Sequence, residues 1–229
     1  MADDMLRKLL DQRWRVAMER RGSRPPREPP RAAIRRTNRA VALYDAGRWD
    51  EAERAFLDVL RREGPASQVA PPALFSLGYC RLELDDERGS LQATTLFLEL
   101  SDEEHPFHWD GVQNVACALD RLGQHEPAAQ LYRTVLGARP NPFAYNGLAL
   151  ALGDLQKPGE GLFVLDEARR AGHWDEVLDG SLGFLAARSG GARKSTFLRA
   201  PRWPRERVLA AAFRALRWRR TPLPRSLLP

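Results

Sequence analysis

The sequence predicts an all-α protein, a solenoid of about four helical hairpins with further helices at both ends. Three observations carry that expectation. Two small residues fall twelve positions apart four times: Ala40 and Ala52, Gly78 and Ser90, Ala116 and Ala128, Ala149 and Gly161. Each pair keeps the same surroundings, with Leu43, Leu119 and Leu152 three positions beyond the first small residue (Arg81 is the exception) and Phe56, Thr94, Tyr132 or Leu165 four beyond the second. Turn and start signals separate the members of each pair. Gly47 and Gly123 stand where a left-handed helix cap favours glycine, and Asp50, Glu51, Glu87, Glu126 and Glu160 open the following helices, at their positive ends. Antiparallel helices approach closely only where neither carries a large side chain. Twelve residues finish one helix, turn, and reach the facing position of the next.

Taken in order, Asp4 to Arg21 forms a helix with Leu6, Leu9, Leu10, Trp14, Ala17 and Met18 near one face. Gly22 to Arg31 holds four prolines and is an extended linker. The four copies follow, with steps of 38, 38 and 33 residues between equivalent small positions. The surplus in the first two steps falls at Pro65–Pro72 and Ser101–His108, expected to be longer loops between copies. Glu176 to Arg188, with Leu178, Leu182, Gly183 and Leu185, is a further helix, the first half of an incomplete fifth copy. Ser189, Gly190 and Gly191 end it. Arg205 to about Arg219 is a basic helix whose stripe of Val208, Leu209, Ala212, Phe213 and Leu216 suits a cap for the exposed end of a solenoid. Trp203 and Trp218 flank it, and Thr221 to Pro229 is a loose tail. Three segments result: residues 1–32, a basic helix and linker; 33–188, the repeats; and 189–229, a basic end.

The copies resemble the tetratricopeptide repeat. The clearest runs from Trp109 to about Asn141, with Val112, Val115, Ala116 and Leu119, then Leu122 and Gly123, Ala128 and Tyr132, and Pro140 as the stop. The first, about Ala33 to Gly64, has Tyr44, Gly47, Trp49, Ala52, Ala55 and Phe56. The fourth, about Pro142 to Asp175, has Tyr145, Leu148, Ala149, Leu152, Leu165 and Ala168. The second, about Pro71 to Glu104, is weakest, with Ser90 and Thr94 where alanine and an aromatic residue are usual. The resemblance covers roughly three fifths of the chain and implies a right-handed superhelix, non-enzymatic protein–protein interaction, and a concave groove lined by the first helix of each copy. Carried onto this sequence, the groove positions are Thr37, Val41, Tyr44 and Asp45; Phe75, Tyr79, Leu82 and Glu83; Asp110, Gln113, Cys117, Asp120 and Arg121; and Asn146, Leu150 and Asp154. Members that clamp a terminal carboxylate use lysine, arginine and asparagine there. This chain places acidic residues at those positions, with Arg121 alone positive, so the resemblance implies an acidic groove, aromatic and apolar in its first half.

Charge placement agrees. The chain has 229 residues and net charge +6, and residues 1–39 carry net +7, residues 40–187 net −12 and residues 188–229 net +11. Coding bias accounts for 33 arginines against 3 lysines, but it would not exclude arginine from the middle of the chain. An acidic body lies between two basic ends. The expected partner is another protein or peptide segment, basic and with an apolar anchor, and the chain's own tails are further candidates through self-association or intramolecular docking. The alternative is association with nucleic acid or an anionic membrane surface through Arg193, Lys194, Arg199, Arg202, Arg207, Arg214, Arg217, Arg219 and Arg220.

Catalysis is not expected. Ser189 to Ser195 lacks the glycine before Lys194 and the preceding strand that a phosphate loop needs. His105 and His108 belong to a solvated inter-repeat loop with too few convergent ligands for a metal, and His125 and His173 are isolated. Cys80 and Cys117 lie on first helices and are expected to be small buried hydrophobes. No cofactor or metal is expected. With no run of about 18 apolar residues and no apolar region in MADDMLRKLL suited to secretion, the expected location is the cytoplasm.

Overall fold

The computed structural model describes residues 28–189. The expected helices at Asp4–Arg21 and Arg205–Arg219, and the proline-rich segment up to residue 27, lie outside the described residues. Those described contain nine α-helices and no strand: α1 Arg31–Asp45, α2 Trp49–Glu63, α3 Ala70–Glu83, α4 Glu87–Leu100, α5 His108–Arg121, α6 His125–Ala138, α7 Pro142–Asp154, α8 Pro158–Arg170 and α9 Glu176–Ser189. The class is that of an α-solenoid of helical hairpins. The described chain divides into two compact units, residues 28–114 and 115–189, with α5 shared between them.

The repeat shows most plainly in the backbone. Each of the four hairpin turns holds one residue in the left-handed region: Gly47 at φ 67°, Asp85 at 55°, Gly123 at 75° and Gln156 at 62°. Each lies seven residues beyond the first small residue of its copy. In every copy the next amide donates back to the carbonyl five residues earlier: Arg48 to Leu43 at 2.9 Å, Asp86 to Arg81 at 2.8 Å, Gln124 to Leu119 at 2.8 Å and Lys157 to Leu152 at 2.9 Å. This is the Schellman closure, which satisfies the last carbonyls of one helix and aims the chain into the next. His173 to Ala168, at 2.9 Å after Gly172, closes α8 in the same way.

The small residues do what the spacing requires. Ala40, Ala52, Ser90, Ala116, Ala128 and Ala149 are fully buried, and Gly78 and Gly161 are buried with them. A methyl group at Gly161 would overlap the Ala149 carbonyl of the facing helix. In residues 28–114, α1 packs on α2, α2 on α3 and α3 on α4. In residues 115–189, α6 packs on α7, α7 on α8, and α9 on both α7 and α8, the placement of the first helix of a fifth copy.

Two loops differ in part from expectation. The α2–α3 connection covers residues 64–69, because Pro71 and Pro72 lie inside the first turn of α3, where a proline's missing amide costs no hydrogen bond. The α4–α5 segment is a loop exposed at residues 102–104, 106 and 107, as expected, but its two histidines are packed. His108 is buried and opens α5, while His105 packs edge-on against Phe97 at 5.1 Å and lies 5.8 Å from Phe107. Among the described residues no helix is long and apolar enough to cross a membrane.

Candidate partner-binding surface

In residues 28–114 two of the positions carried over from the repeat pattern, Tyr44 and Tyr79, belong to one aromatic cluster. Tyr44 on α1 meets Trp49 at 5.4 Å and Tyr79 on α3 at 5.5 Å, both edge-to-face, and Trp49 meets Tyr79 at 5.9 Å. Such pairs add about 0.5–1.5 kcal/mol beyond their burial. Tyr44 and Tyr79 are half-buried, while Asp45, the residue after Tyr44, and Glu83, one helical turn beyond Tyr79, are exposed. Burial pushes the Tyr44 phenol up to about 12, helped by the Tyr79, Cys80, Asp45 and Glu83 groups around it. A second aromatic site joins Phe75 to Phe107, stacked at 5.0 Å and nearly parallel, with Phe97 at 5.5 Å behind. Phe107 is 43 % exposed.

The other positions are less uniform. Val41 is exposed at 38 %, and Thr37 donates its hydroxyl to the Ala33 carbonyl at 3.0 Å. Leu82 is buried and belongs to helix packing, so it presents no surface to a partner. Asp110 and Gln113 are half-buried.

In residues 115–189, Arg121 and Asp154 are exposed, and Cys117, Asn146 and Leu150 are half-buried. The Ser181 hydroxyl of α9 donates to Asn146 Oδ1 at 2.5 Å, so α9 already holds that position. Cys117 sits against Tyr132 and Arg121, and burial raises its thiol above the ordinary range. Cys80, fully buried, is pushed up to about 12 for the same reason, with Glu53 adding to it.

His125 is not isolated. As the first residue of α6 it places Nδ1 2.7 Å from Asp120 Oδ1 and 4.0 Å from Asp154 Oδ2. Counted from the small residues, Asp120 and His125 occupy the places of Tyr44 and Trp49 in the first copy. The same cross-turn contact is aromatic in one copy and polar in another. Burial raises the Asp120 carboxyl, with the Asp154 charge adding to it and the His125 hydrogen bond opposing it.

Arg81 was the exception in the sequence pattern, standing where the other copies have leucine. Its side chain is fully buried, and Nε donates to Glu53 Oε1 at 2.9 Å while Asp86 Oδ2 lies at 3.8 Å. Glu53 and Arg81 are 28 residues apart, and no local pattern announces their meeting. The basic residues proposed for anion binding, Arg193, Lys194, Arg199, Arg202, Arg207, Arg214, Arg217, Arg219 and Arg220, lie outside the described residues.

No protein-family model matches the chain, and no curated protein matches it. Solved structures do. One is a MamA RS-1 ArsTM double mutant, 18% identical, covering 83% of this chain and 97% of its own, with a TM-score of 0.57. Another is MamA 41-end from Desulfovibrio magneticus RS-1, 19% identical, covering 82% of this chain and 96% of its own, with a TM-score of 0.58. The likeness shows a tetratricopeptide-like fold.

Proposed function

We propose that this protein is a non-enzymatic adaptor that holds a basic, apolar-anchored segment of a partner protein against α1 and α3. One observation carries the reading: Tyr44 and Tyr79 stand half-buried in a packed aromatic cluster, next to exposed Asp45 and Glu83. Rigid aromatic rings give contact area at low entropic cost, and neighbouring carboxylates steer and register an oppositely charged segment. Fold likeness to hairpin-repeat structures supports the class of function without naming the partner. The groove positions in residues 115–189 are more polar: Ser181 holds Asn146, and Asp120 is paired with His125.

The test uses full-length protein and a short fluorescent peptide that alternates arginine with leucine. Reversing Asp45 and Glu83 to arginine should weaken binding about tenfold or more, leave the far-UV circular dichroism unchanged and flatten the salt dependence. Equal affinity of the double reversal, or equal binding of a peptide with glutamate in place of arginine, would overturn the proposal.

A further inference from the structure

The turn between α5 and α6 and the end of α7 bring three metal-ligating side chains together in residues 115–189. Asp120 lies in the last turn of α5, His125 opens α6 and Asp154 closes α7. Each offers one donor atom, and the three atoms lie within 4.8 Å of one another. We propose that Asp120, His125 and Asp154 form a binding site for a first-row divalent metal ion.

Two of the three donor separations lie near what such an ion needs, and the third, between the two carboxylates, is at most 4.8 Å. Around tetrahedral Zn²⁺ with bonds of about 2.0–2.2 Å, donor atoms stand about 3.3–3.5 Å apart. The Asp120–His125 pair, at 2.7 Å, has to open by about 0.6 Å. The His125–Asp154 pair, at 4.0 Å, has to close by about as much. Side-chain rotation supplies shifts of that size. The backbone does not have to move, because the turn is pinned by the Gly123 amide on the Asp120 carbonyl and the Gln124 amide on the Leu119 carbonyl, both at 2.8 Å.

Electrostatics favour a cation at this point. Both carboxylates sit at helix C-termini, where the backbone's own negative end disfavours them. Asp120 is largely shielded from water, its side chain 19% exposed. Two arginines stand nearby. Arg188 of α9 approaches Asp154 Oδ1 at 4.0 Å, leaving Oδ2 on the histidine side, and Arg121 lies against Cys117. One imidazole with two carboxylates suits Zn²⁺ or Mn²⁺. It does not suit Ca²⁺ or Mg²⁺, which prefer all-oxygen shells. Cys117 is not among the donors that converge here. Three protein ligands leave a coordination position for water. Asp120 and Asp154 are among the positions carried over from the repeat pattern, but none of the three residues lies on α1 or α3, where the proposed peptide surface is argued.

Full-length, tag-free protein, stripped with a chelator, is titrated with Zn²⁺ against a chromophoric chelator. One ion per chain at micromolar affinity or tighter is expected. His125→Gln and Asp154→Asn should each weaken it about tenfold or more, with Mg²⁺ unable to compete. Co²⁺ in place of Zn²⁺ should give visible absorption bands that His125→Gln removes. Asp154 is exposed, so Asp154→Asn tests the ligand without threatening the fold, and circular dichroism checks both variants. Zn²⁺ binding unchanged in both variants, or no binding by the wild-type chain at micromolar Zn²⁺, would overturn the proposal.

Discussion

Replacing Arg81 with leucine makes the second copy match the other three, and the structure predicts that this apparent repair destabilises the protein. The Arg81 side chain has no solvent exposure, and its Nε bonds the Glu53 carboxylate, itself only 12% exposed. Removing one member of a buried ion pair strands the other, at a cost of about 3–5 kcal/mol. Glu53 keeps some access to water, so the lower end applies, about 3 kcal/mol. Asp86 adds little to the cost, because it is 42% exposed and keeps its cap bond from the Gly89 amide at 2.9 Å. Nη1 and Nη2 of Arg81 are buried without hydrogen-bond partners, a burden that leucine removes. Replacing both members of a buried pair with apolar groups is neutral or stabilising by about 1–4 kcal/mol. Arg81→Leu with Glu53→Leu should therefore recover wild-type stability or exceed it, a coupling of about 3 kcal/mol or more between the two positions. Urea unfolding followed by circular dichroism measures all four members of the cycle. In a chain of this size, the single variant should melt lower by about 6–12 °C. The reasoning fails if Arg81→Leu alone is as stable as wild type. It fails equally if the double variant is no better than the single.

Three further outcomes follow from the turns and the buried groups. Gln156 holds φ 62° without being glycine, so Gln156→Gly should stabilise by about 0.5–1 kcal/mol, while Gly123→Ala should cost about 1 kcal/mol; urea midpoints decide both. Cys80 is fully buried and its thiol is pushed up to about 12, so a disulfide reagent should label it only as fast as the chain unfolds; rapid labelling in native buffer would contradict the burial. Tyr44 ionises at about 12 in the folded protein against 10.0 for a free phenol. Because the folded pKa is the higher, the stability linked to this group is complete below pH 10 and falls as pH rises from about 10 to about 12. Absorbance at the tyrosinate band, compared between wild type and Tyr44→Phe, isolates that titration.

Helix positions and hairpin turns were legible because they depend on neighbours. A small residue at each crossing, glycine seven residues on and an acid opening the next helix are local requirements, and the 38, 38 and 33 steps between Ala40, Gly78, Ala116 and Ala149 recur in the left-handed positions from Gly47 to Gln156. Glycine alone would have located only two of those four turns. Asp85 and Gln156 adopt the strained conformation because the closure bonds from Asp86 and Lys157 hold them there. Prolines were misleading at α3, since Pro71 and Pro72 suit a first helical turn as well as a loop. The groove positions were named from the repeat pattern, and the fate of each depended on packing. Tyr44 joined a cluster with Trp49, Leu82 was buried, and Asn146 was taken by Ser181.

By itself the sequence determined that this chain is built from copied helical hairpins, where each one turns, and that its middle is acidic. These follow from sterics and charge among residues close in the chain. Tertiary structure alone decided which distant groups meet: Arg81 with Glu53, Ser181 with Asn146, and Asp154 with His125. Those partners are about 30 residues apart, in helices whose relative rotation is set by side-chain packing at each crossing. A period can place the helices in order, but the angle through which each is turned toward its neighbour is a property of the packed whole.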